Sequence, residues 1–373
     1  MNPVLTLVGS DKARAAEVAA GLDASAWAAL DRQAGQHRLR PLLHVRAVEG
    51  RWLVPPDLAR EWQESHRRSA RRALGQKATL ARIGKSFAQA GVTAAVLKGG
   101  AFVWSGAIDP ALRPMRDLDL LIGSADVEAA TELLAALGFV VDPQSGPSDK
   151  HLPAMINGRT IIELHLRIFD TQDAAAAERE AAFIARAWRR AVAAQVQGMQ
   201  MFCPTDTLLH VIMHSVLDHQ FNNGPLLLVD MPALVASHAV DWTLLWREAE
   251  LVDATRACQL ALALGEKLCG LAVDWQGRRP LDLGERELGQ AARLMLADAA
   301  YRSAIGWPVQ LLRIAPHRWP AQVAAMLRRR SDGGGVARTG QSGLGASLSY
   351  ALQAEGRARI GDAARLSLWL QRR

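Results

Sequence analysis

The sequence predicts an α+β protein in which a mixed sheet with helices lies between two helical regions. Helix-type apolar spacing fills the first 90 residues and returns after residue 170, whereas β-rich and alternating segments are concentrated between them. We therefore divide the chain into an N-terminal helical region (1–90), a core (91–202), a C-terminal helical domain (203–330), a flexible Gly/Ser-rich linker (331–345) and a basic tail (346–373) for which no element is predicted.

The predicted core begins with a short strand over 91–97, which passes through Lys98, Gly99 and Gly100 into a helix from Ala101. A second strand is expected over 117–122. Ser124 is a candidate N-cap for a helix over 125–137, which Gly138 would end. Further elements are a strand at 139–141, a hairpin of 153–156 and 159–168 around Asn157-Gly158, a strand or hairpin around 195–202, and helices over 205–219, 226–237 and 242–251.

Composition sets broad limits on function. The formal net charge of +7 favours anionic partners such as nucleotides, nucleic acid or acidic surfaces, without selecting one of them. The three cysteines, Cys203, Cys258 and Cys269, lack the spacing of a disulfide framework or a thiolate metal site. No run approaches the roughly 20 apolar residues of a membrane span, so no transmembrane segment and a cytoplasmic location are expected.

Asp117 and Asp119 form an acidic pair in an otherwise apolar strand. Side chains of a strand alternate between its two faces, so residues two apart project together. Two carboxylates in one small site repel each other unless a cation lies between them, and hard oxygen ligands suit Mg²⁺. The pair therefore predicts a metal site, while a solvated strand edge is the alternative interpretation.

A third carboxylate stands on the second hairpin strand, which alternates over its whole length. Ile162, Leu164, Leu166 and Ile168 are expected on one face, and Ile161, Glu163, His165 and Arg167 on the other. A carboxylate and an imidazole would then point the same way from one strand. An exposed face of an antiparallel sheet would carry similar residues.

The turn Lys98-Gly99-Gly100 joins the first predicted strand to a helix. Glycine there lets the backbone approach an anion such as a triphosphate. The spacing of a Walker A loop is absent, so a P-loop enzyme is not indicated. A purely structural role for the two glycines remains the alternative.

These motifs occur in a familiar order. Val96 to Gly100, then Leu112 to Ile122, then Ile162 to His165 resemble the polymerase-β-type nucleotidyltransferase superfamily, and most closely the bacterial family of uncharacterised nucleotidyltransferases. The helix after Cys203, with its paired histidines, and Asp230 extend the resemblance, which covers roughly 97–250. It implies a polymerase-β-like nucleotidyltransferase core.

The resemblance also implies roles for individual residues. Asp117, Asp119 and Glu163 would be the catalytic carboxylates and would bind Mg²⁺, with Mn²⁺ as the alternative ion. Gly99 and Gly100 would contact the phosphates of the nucleotide. Lys98 and Arg113 would neutralise the triphosphate or the leaving pyrophosphate.

Other polar residues are candidates for contacting a substrate or for supporting the metal ligands: His165, Arg116, His214 and His219. His210 and His214 stand four residues apart on a predicted helix, so a zinc site with His219 is an alternative for these histidines. A zinc hydrolase is disfavoured because the acidic residue of a His-Glu-x-x-His motif is absent.

The leading hypothesis is a metal-dependent nucleotidyltransferase that transfers NMP from an NTP to a hydroxyl acceptor and releases pyrophosphate. The acceptor is not identified by the sequence: a small molecule, a polysaccharide intermediate, a protein and the 3′ end of an RNA all remain open. The alternative from another class is a non-catalytic nucleotide-binding or scaffold protein with the same fold.

Overall fold

The structure is a computed structural model that describes residues 2–9, 12–146, 148, 150–169, 171, 173–297, 350 and 352–372. The helices of the N-terminal region are α1 (Pro3–Val8), α2 (Lys12–Ala20), α3 (Ala24–Gln36), α4 (Arg40–Gly50) and α5 (Pro56–Gln89). The long helix α5 buries Leu80, Ile83 and Phe87, which are spaced three and four residues apart and so lie on one side of it. The helical prediction for this region is confirmed.

The core follows α5 and alternates short strands with helices. Its elements are β1 (Ala94–Val96), α6 (Lys98–Trp104), β2 (Leu118–Ile122), α7 (Val127–Ala136), β3 (Val140–Val141), β4 (Met155–Asn157), β5 (Thr160–His165), α8 (Ala174–Arg189), β6 (Val192–Ala193) and β7 (Gln200–Met201). Within the described residues the strands form one seven-stranded sheet in the order β3-β4-β5-β2-β1-β7-β6. β2 runs parallel to β5 and antiparallel to β1, so the sheet is mixed, as predicted.

The chain then returns to helices: α9 (Pro204–Met213), a π-helical turn (His214–Asp218), α10 (Leu227–Ser237), α11 (Trp242–Leu251), α12 (Thr255–Cys269), α13 (Glu285–Met295) and the last described helix, α14 (Ala354–Leu370). Asp241 caps α11, its carboxylate accepting a hydrogen bond from the Leu244 amide at 2.9 Å. The basic tail thus contains a helix that the sequence analysis did not predict. The predicted linker lies outside the described residues.

The sheet separates two hydrophobic clusters. Ala95, Leu97 and Leu121 belong to a cluster shared with α1 to α4 and α9 to α12. The alternate residues, among them Val96 and Leu120, belong to a second cluster with α5 and α7. Asp119 is two residues before Leu121, so its side chain leaves the sheet on the side of the larger helical cluster.

Several local predictions need correction. Ser124 does not cap α7: it lies in a 3₁₀ turn, Ser124–Asp126, and the N-cap residue Asp126 makes no side-chain capping bond. β5 ends at His165 because the amides of Leu166 and Arg167 both donate to the Lys150 carbonyl, at 2.8 and 3.1 Å. Arg167 is thereby turned away from Glu163 and His165.

Arg167 instead donates to Glu180, at 2.8 Å. Ile168 joins the larger cluster rather than that of Ile162 and Leu164, so the predicted alternation stops at the end of β5. In the part of the chain that the structure describes, no helix has the length and apolar character that crossing a membrane requires.

Candidate functional site

The turn between β1 and α6 carries Lys98 in a left-handed backbone conformation, with φ +48°. A side chain in this region costs about 1–3 kcal/mol, which surrounding contacts must offset. The Leu97 amide donates to the Asp119 carbonyl at 2.9 Å, and Lys98 Nζ donates to Asp119 Oδ1 at 2.6 Å. Both contacts hold the turn against β2.

Of the two glycines after Lys98, Gly100 leaves no space for a side chain and Gly99 leaves little. A Cβ at Gly100 would overlap Val96 Cγ1 on β1, and a Cβ at Gly99 would come within 3.2 Å of the Arg113 guanidinium. Both residues are buried in the first turn of α6. The absence of side chains lets this turn lie directly on the strand and beside Arg113.

The parallel pairing of β2 with β5 brings two carboxylates side by side. Asp119 is the direct partner of Glu163 in the register, and paired residues of neighbouring strands project to the same face. Asp119 is buried and the Glu163 side chain is 21% exposed. Asp117 lies one residue before β2 begins, so it reaches the site from the loop and not from the strand.

His165 completes this group from the same face of β5. Its Nε2 donates to Asp119 Oδ1 at 2.8 Å and lies 3.7 Å from Glu163 Oε2, while its Nδ1 faces the Arg167 carbonyl oxygen at 3.3 Å. Both ring nitrogens therefore face acceptors. Burial alone would lower the pKa of His165, but the two carboxylates raise it above its ordinary value. His151, in an isolated bridge to His165, places a second imidazole at 5.2 Å.

The carboxylates have different proton affinities because their surroundings differ. Burial, and then the charges of Asp119 and Glu163, raise the pKa of Asp117 to about 6. Burial also acts on Asp119, but Lys98 and His165 outweigh it and hold its pKa well below the ordinary value. The pKa of Glu163 is likewise lowered, because His165 and Lys98 outweigh its burial.

A group of oxygen and nitrogen atoms suited to a cation results. Among the described residues, the carboxylates of Asp119 and Glu163 and the imidazole of His165 offer ligand atoms that all lie within 4.8 Å of one another. The sequence predicted Asp117 in this group and predicted that His165 contacts a substrate or supports the metal ligands. In the structure His165 is in the group, and Asp117 is its electrostatic neighbour.

A cavity of about 230 Å³ lies next to this group. Lys98, Gly99, Gly100, Asp117 and Asp119 line it from the core. The opposite wall comes from the π-helical turn and the segment after it, with His214, Ser215, His219 and Asn223. The predicted residues Gly99, Gly100, His214 and His219 are thus brought to one cavity, and Ser215 and Asn223 were missed because no motif marks them.

Arg113 also lines the cavity, but its guanidinium is already engaged. Nε and Nη2 donate to the two carboxylate oxygens of Asp230 at 2.8 and 2.9 Å, and Asp230 is buried in α10. This bidentate pair ties the loop before β2 to the C-terminal helices. Arg116 is exposed and does not line the cavity.

Of the paired histidines His214 lies in the helical wall of the cavity and His210 does not, and neither belongs to the group of candidate metal ligands. His210 is buried against Phe169 and Phe202, and burial lowers its pKa to about 3. His214 and His219 stack edge to face at 4.4 Å. The zinc alternative therefore finds no support in the arrangement of the described residues, where the candidate ligand group comprises Asp119, Glu163 and His165.

A mixed sheet with two carboxylates on adjacent parallel strands, a Gly-Gly turn beside them and helices on both sides is a nucleotidyltransferase-type core. The family model described as uncharacterised nucleotidyltransferase matches residues 23–270, and the chain belongs to this family. The match covers the site and also α3, α4 and most of the C-terminal helices. No curated protein and no solved structure matches the chain.

Proposed function

We propose that the protein is a metal-dependent nucleotidyltransferase that transfers NMP from an NTP to a hydroxyl acceptor. The acceptor oxygen bonds to the α-phosphorus while the bond from that phosphorus to the bridging oxygen of the β-phosphate breaks. Pyrophosphate leaves with that oxygen and its electron pair, and the hydroxyl proton is released. The acceptor can be a small molecule, a polysaccharide intermediate, a protein or an RNA 3′ end.

One observation carries the proposal: Asp119 and Glu163 are paired on adjacent parallel strands, with Asp117 beside them and Gly99-Gly100 in the same cavity as the two aspartates. Family membership supports the same reaction class. In-line displacement at phosphorus requires positioned charges rather than a covalent intermediate, and this site is rich in positioned charges.

The residues present fit a divalent cation. Asp119 and Glu163, with Asp117 beside them, would supply hard oxygen ligands for Mg²⁺ or Mn²⁺, and His165 would add a nitrogen that Mn²⁺ accepts more readily than Mg²⁺. Such ions, when bound, stabilise charge on the attacking and leaving oxygens. A cation would also relieve the mutual repulsion that raises the pKa of Asp117.

The chain's own residues take complementary roles. Lys98 now donates to Asp119, and a cation at that carboxylate would compete for the same oxygen and leave the ammonium to a phosphate in the adjoining cavity. Gly99 and Gly100 line that cavity, so phosphate oxygens in it would lie close to their backbone. Glu163 is the carboxylate that would favour activation of the acceptor hydroxyl.

The test is transfer of label from each α-labelled NTP, with Mg²⁺ or Mn²⁺, to a cell extract, with release of pyrophosphate followed in parallel. Asp119→Asn and Glu163→Gln should reduce both by at least about 100-fold, since each removes a charge that the transition state needs. Glu128→Gln, an exposed carboxylate on α7, is the matched control and should be unaffected.

Three outcomes separate the hypotheses. Transfer that survives both site variants would exclude the proposed mechanism. Tight NTP binding without transfer to any extract would favour the non-catalytic nucleotide-binding protein. Neither binding nor pyrophosphate release with any of the four NTPs would refute both.

A further inference from the structure

Arg38 lies on the turn between α3 and α4 and is held in place on both sides. Its backbone is left-handed, with φ +61°, and its neighbours His37 and Leu39 are buried. His37 lies against the segment that follows the π-helical turn, where a Cβ at Gly224 would come within 2.8 Å of His37 Nδ1. The N-terminal helical region therefore presents Arg38 at a fixed position beside the helical wall of the cavity.

The charges that line the cavity balance in pairs. Among the described lining residues there are three cations, Arg38, Lys98 and Arg113, and three carboxylates, Asp117, Asp119 and Asp230. Lys98 is paired with Asp119 and Arg113 with Asp230, whereas the charge of Arg38 acts on Asp117. Two divalent cations would add four positive charges, which the four negative charges of an NTP would balance.

Cation binding changes these pairs unequally. The Arg113–Asp230 pair stays intact, because Asp230 is not one of the candidate ligands. A cation at Asp117 would instead take over the carboxylate on which Arg38 acts. The Arg38 guanidinium lines the same cavity, and a phosphate group is the anion that a guanidinium binds best.

The geometry of in-line attack indicates which phosphates Arg38 contacts. Glu163 belongs to the group of candidate ligands but does not line the cavity. If the acceptor approaches on the side of Glu163, in-line attack sends the leaving group to the opposite side, into the cavity that Arg38 lines. We infer that Arg38 binds the β- and γ-phosphates of the NTP, so that the N-terminal helices form part of the nucleotide site; this inference rests on the proposed function.

The test is calorimetric titration of the full chain with Mg²⁺ and three probes: inorganic pyrophosphate, the α,β-methylene analogues of the four NTPs, and the corresponding NMPs. Arg38→Asn removes the charge with a residue that tolerates the left-handed backbone, and Arg38→Lys retains the charge. Arg32→Asn, an exposed arginine on the preceding helix, is the matched control.

Arg38→Asn should weaken pyrophosphate and the NTP analogues by about tenfold or more, as the loss of a charged hydrogen bond predicts, and leave NMP within about twofold. Arg38→Lys should retain part of the affinity and Arg32→Asn all of it. The inference would be overturned if Arg38→Asn bound pyrophosphate as tightly as the wild type, or if its binding of NMP were weakened as much as its binding of pyrophosphate. In either case, nucleotide binding by the wild type would leave the proposed function intact. If the wild type binds none of the probes, the proposed function and the inference both fail.

Discussion

The Arg113–Asp230 pair offers a direct test of how the site is attached to the helices. Its partners are 117 residues apart in sequence and joined by two hydrogen bonds. The Arg113 side chain is 11% exposed and that of Asp230 is 1% exposed. We propose three variants, Asp230→Leu, Arg113→Met, and both together.

Burial sets the expected magnitude. Removal of one partner leaves the other charge buried without compensation, which costs about 3–5 kcal/mol of the free energy of unfolding. Replacement of both by apolar residues of similar size removes that cost, so the double variant should lie within about 1–2 kcal/mol of the wild type. The two single losses should therefore not add, and the coupling free energy should be at least about 3 kcal/mol.

Urea titration followed by tryptophan fluorescence measures these free energies. Glu250→Gln is the control, because its pair with Arg278 is exposed, with side-chain exposures of 53% and 34%. An exposed pair contributes only about 0–1 kcal/mol, so this variant should unfold almost as the wild type does. Additive losses in the double variant, or losses no larger than those of the control, would refute the argument that the pair acts as one buried unit.

Three further predictions concern the turn, a buried histidine and the metal. Gly100→Ala should destabilise the fold by about 1–3 kcal/mol in thermal melts, and Val96→Ala should restore much of the loss by making room for the new methyl group. The folded-state pKa of His210 is about 3, which is below its unfolded value, so protons bind preferentially to the unfolded chain as the pH falls. The free energy of unfolding therefore has its full value above about pH 6.5 and decreases below it. Between pH 7.5 and pH 5 the free energy of unfolding of the wild type should therefore fall by about 2 kcal/mol more than that of His210→Leu. Equal losses in urea titrations at the two pH values would contradict this. Mn²⁺ titration followed by electron paramagnetic resonance should show binding that Asp119→Asn weakens at least about tenfold and Glu128→Gln leaves unchanged; binding that persists in Asp119→Asn would place the metal elsewhere.

The elements of the core were predictable because their signals are local. A β-rich run before two glycines predicted β1 and α6, and Asn157-Gly158 between alternating segments predicted the hairpin of β4 and β5. The first turn residue is in fact Gly158, with Asn157 still paired to Thr160, which shifts the loop by one residue without changing the hairpin. The pattern of alternation also placed Glu163 and His165 on one face.

The ends of strands were less predictable, because they depend on partners distant in sequence. Arg167 continues the alternating pattern of β5 in the sequence. In the structure, however, the amides of Leu166 and Arg167 both donate to the Lys150 carbonyl. The salt bridge with Glu180 then holds the guanidinium away from the site. Periodicity records which face a residue would take in a continuous strand, but not where the strand stops.

The site itself required the parallel register of β2 and β5, which no local pattern reports. Asp119 and Glu163 are 44 positions apart, and only the pairing of their strands makes them neighbours. The resemblance to known nucleotidyltransferases is what predicted that these carboxylates share one site. It predicted nothing for Arg38 or Asn223, which lie on turns between helices, outside the motifs.

Backbone conformation gives a separate reason to treat the helical wall as part of the site. Non-glycine residues with left-handed φ include Arg38, Lys98, Gln220 and Phe221. Arg38 and Lys98 line the cavity, and Gln220 and Phe221 lie between its lining residues His219 and Asn223. The π-helical turn immediately before them is also an irregular geometry that often occurs at functional sites.

Each left-handed residue costs about 1–3 kcal/mol and persists only where packing outweighs that cost. Phe221 shows how this is achieved, because its side chain is fully buried and its amide donates to the Ser215 carbonyl. Packing from the helical cluster thus maintains a wall that local preference alone would not form. The sheet positions the carboxylates, but the shape of the cavity beside them depends on helices from both ends of the described chain, and the turn between α3 and α4 supplies one of its three cations, Arg38.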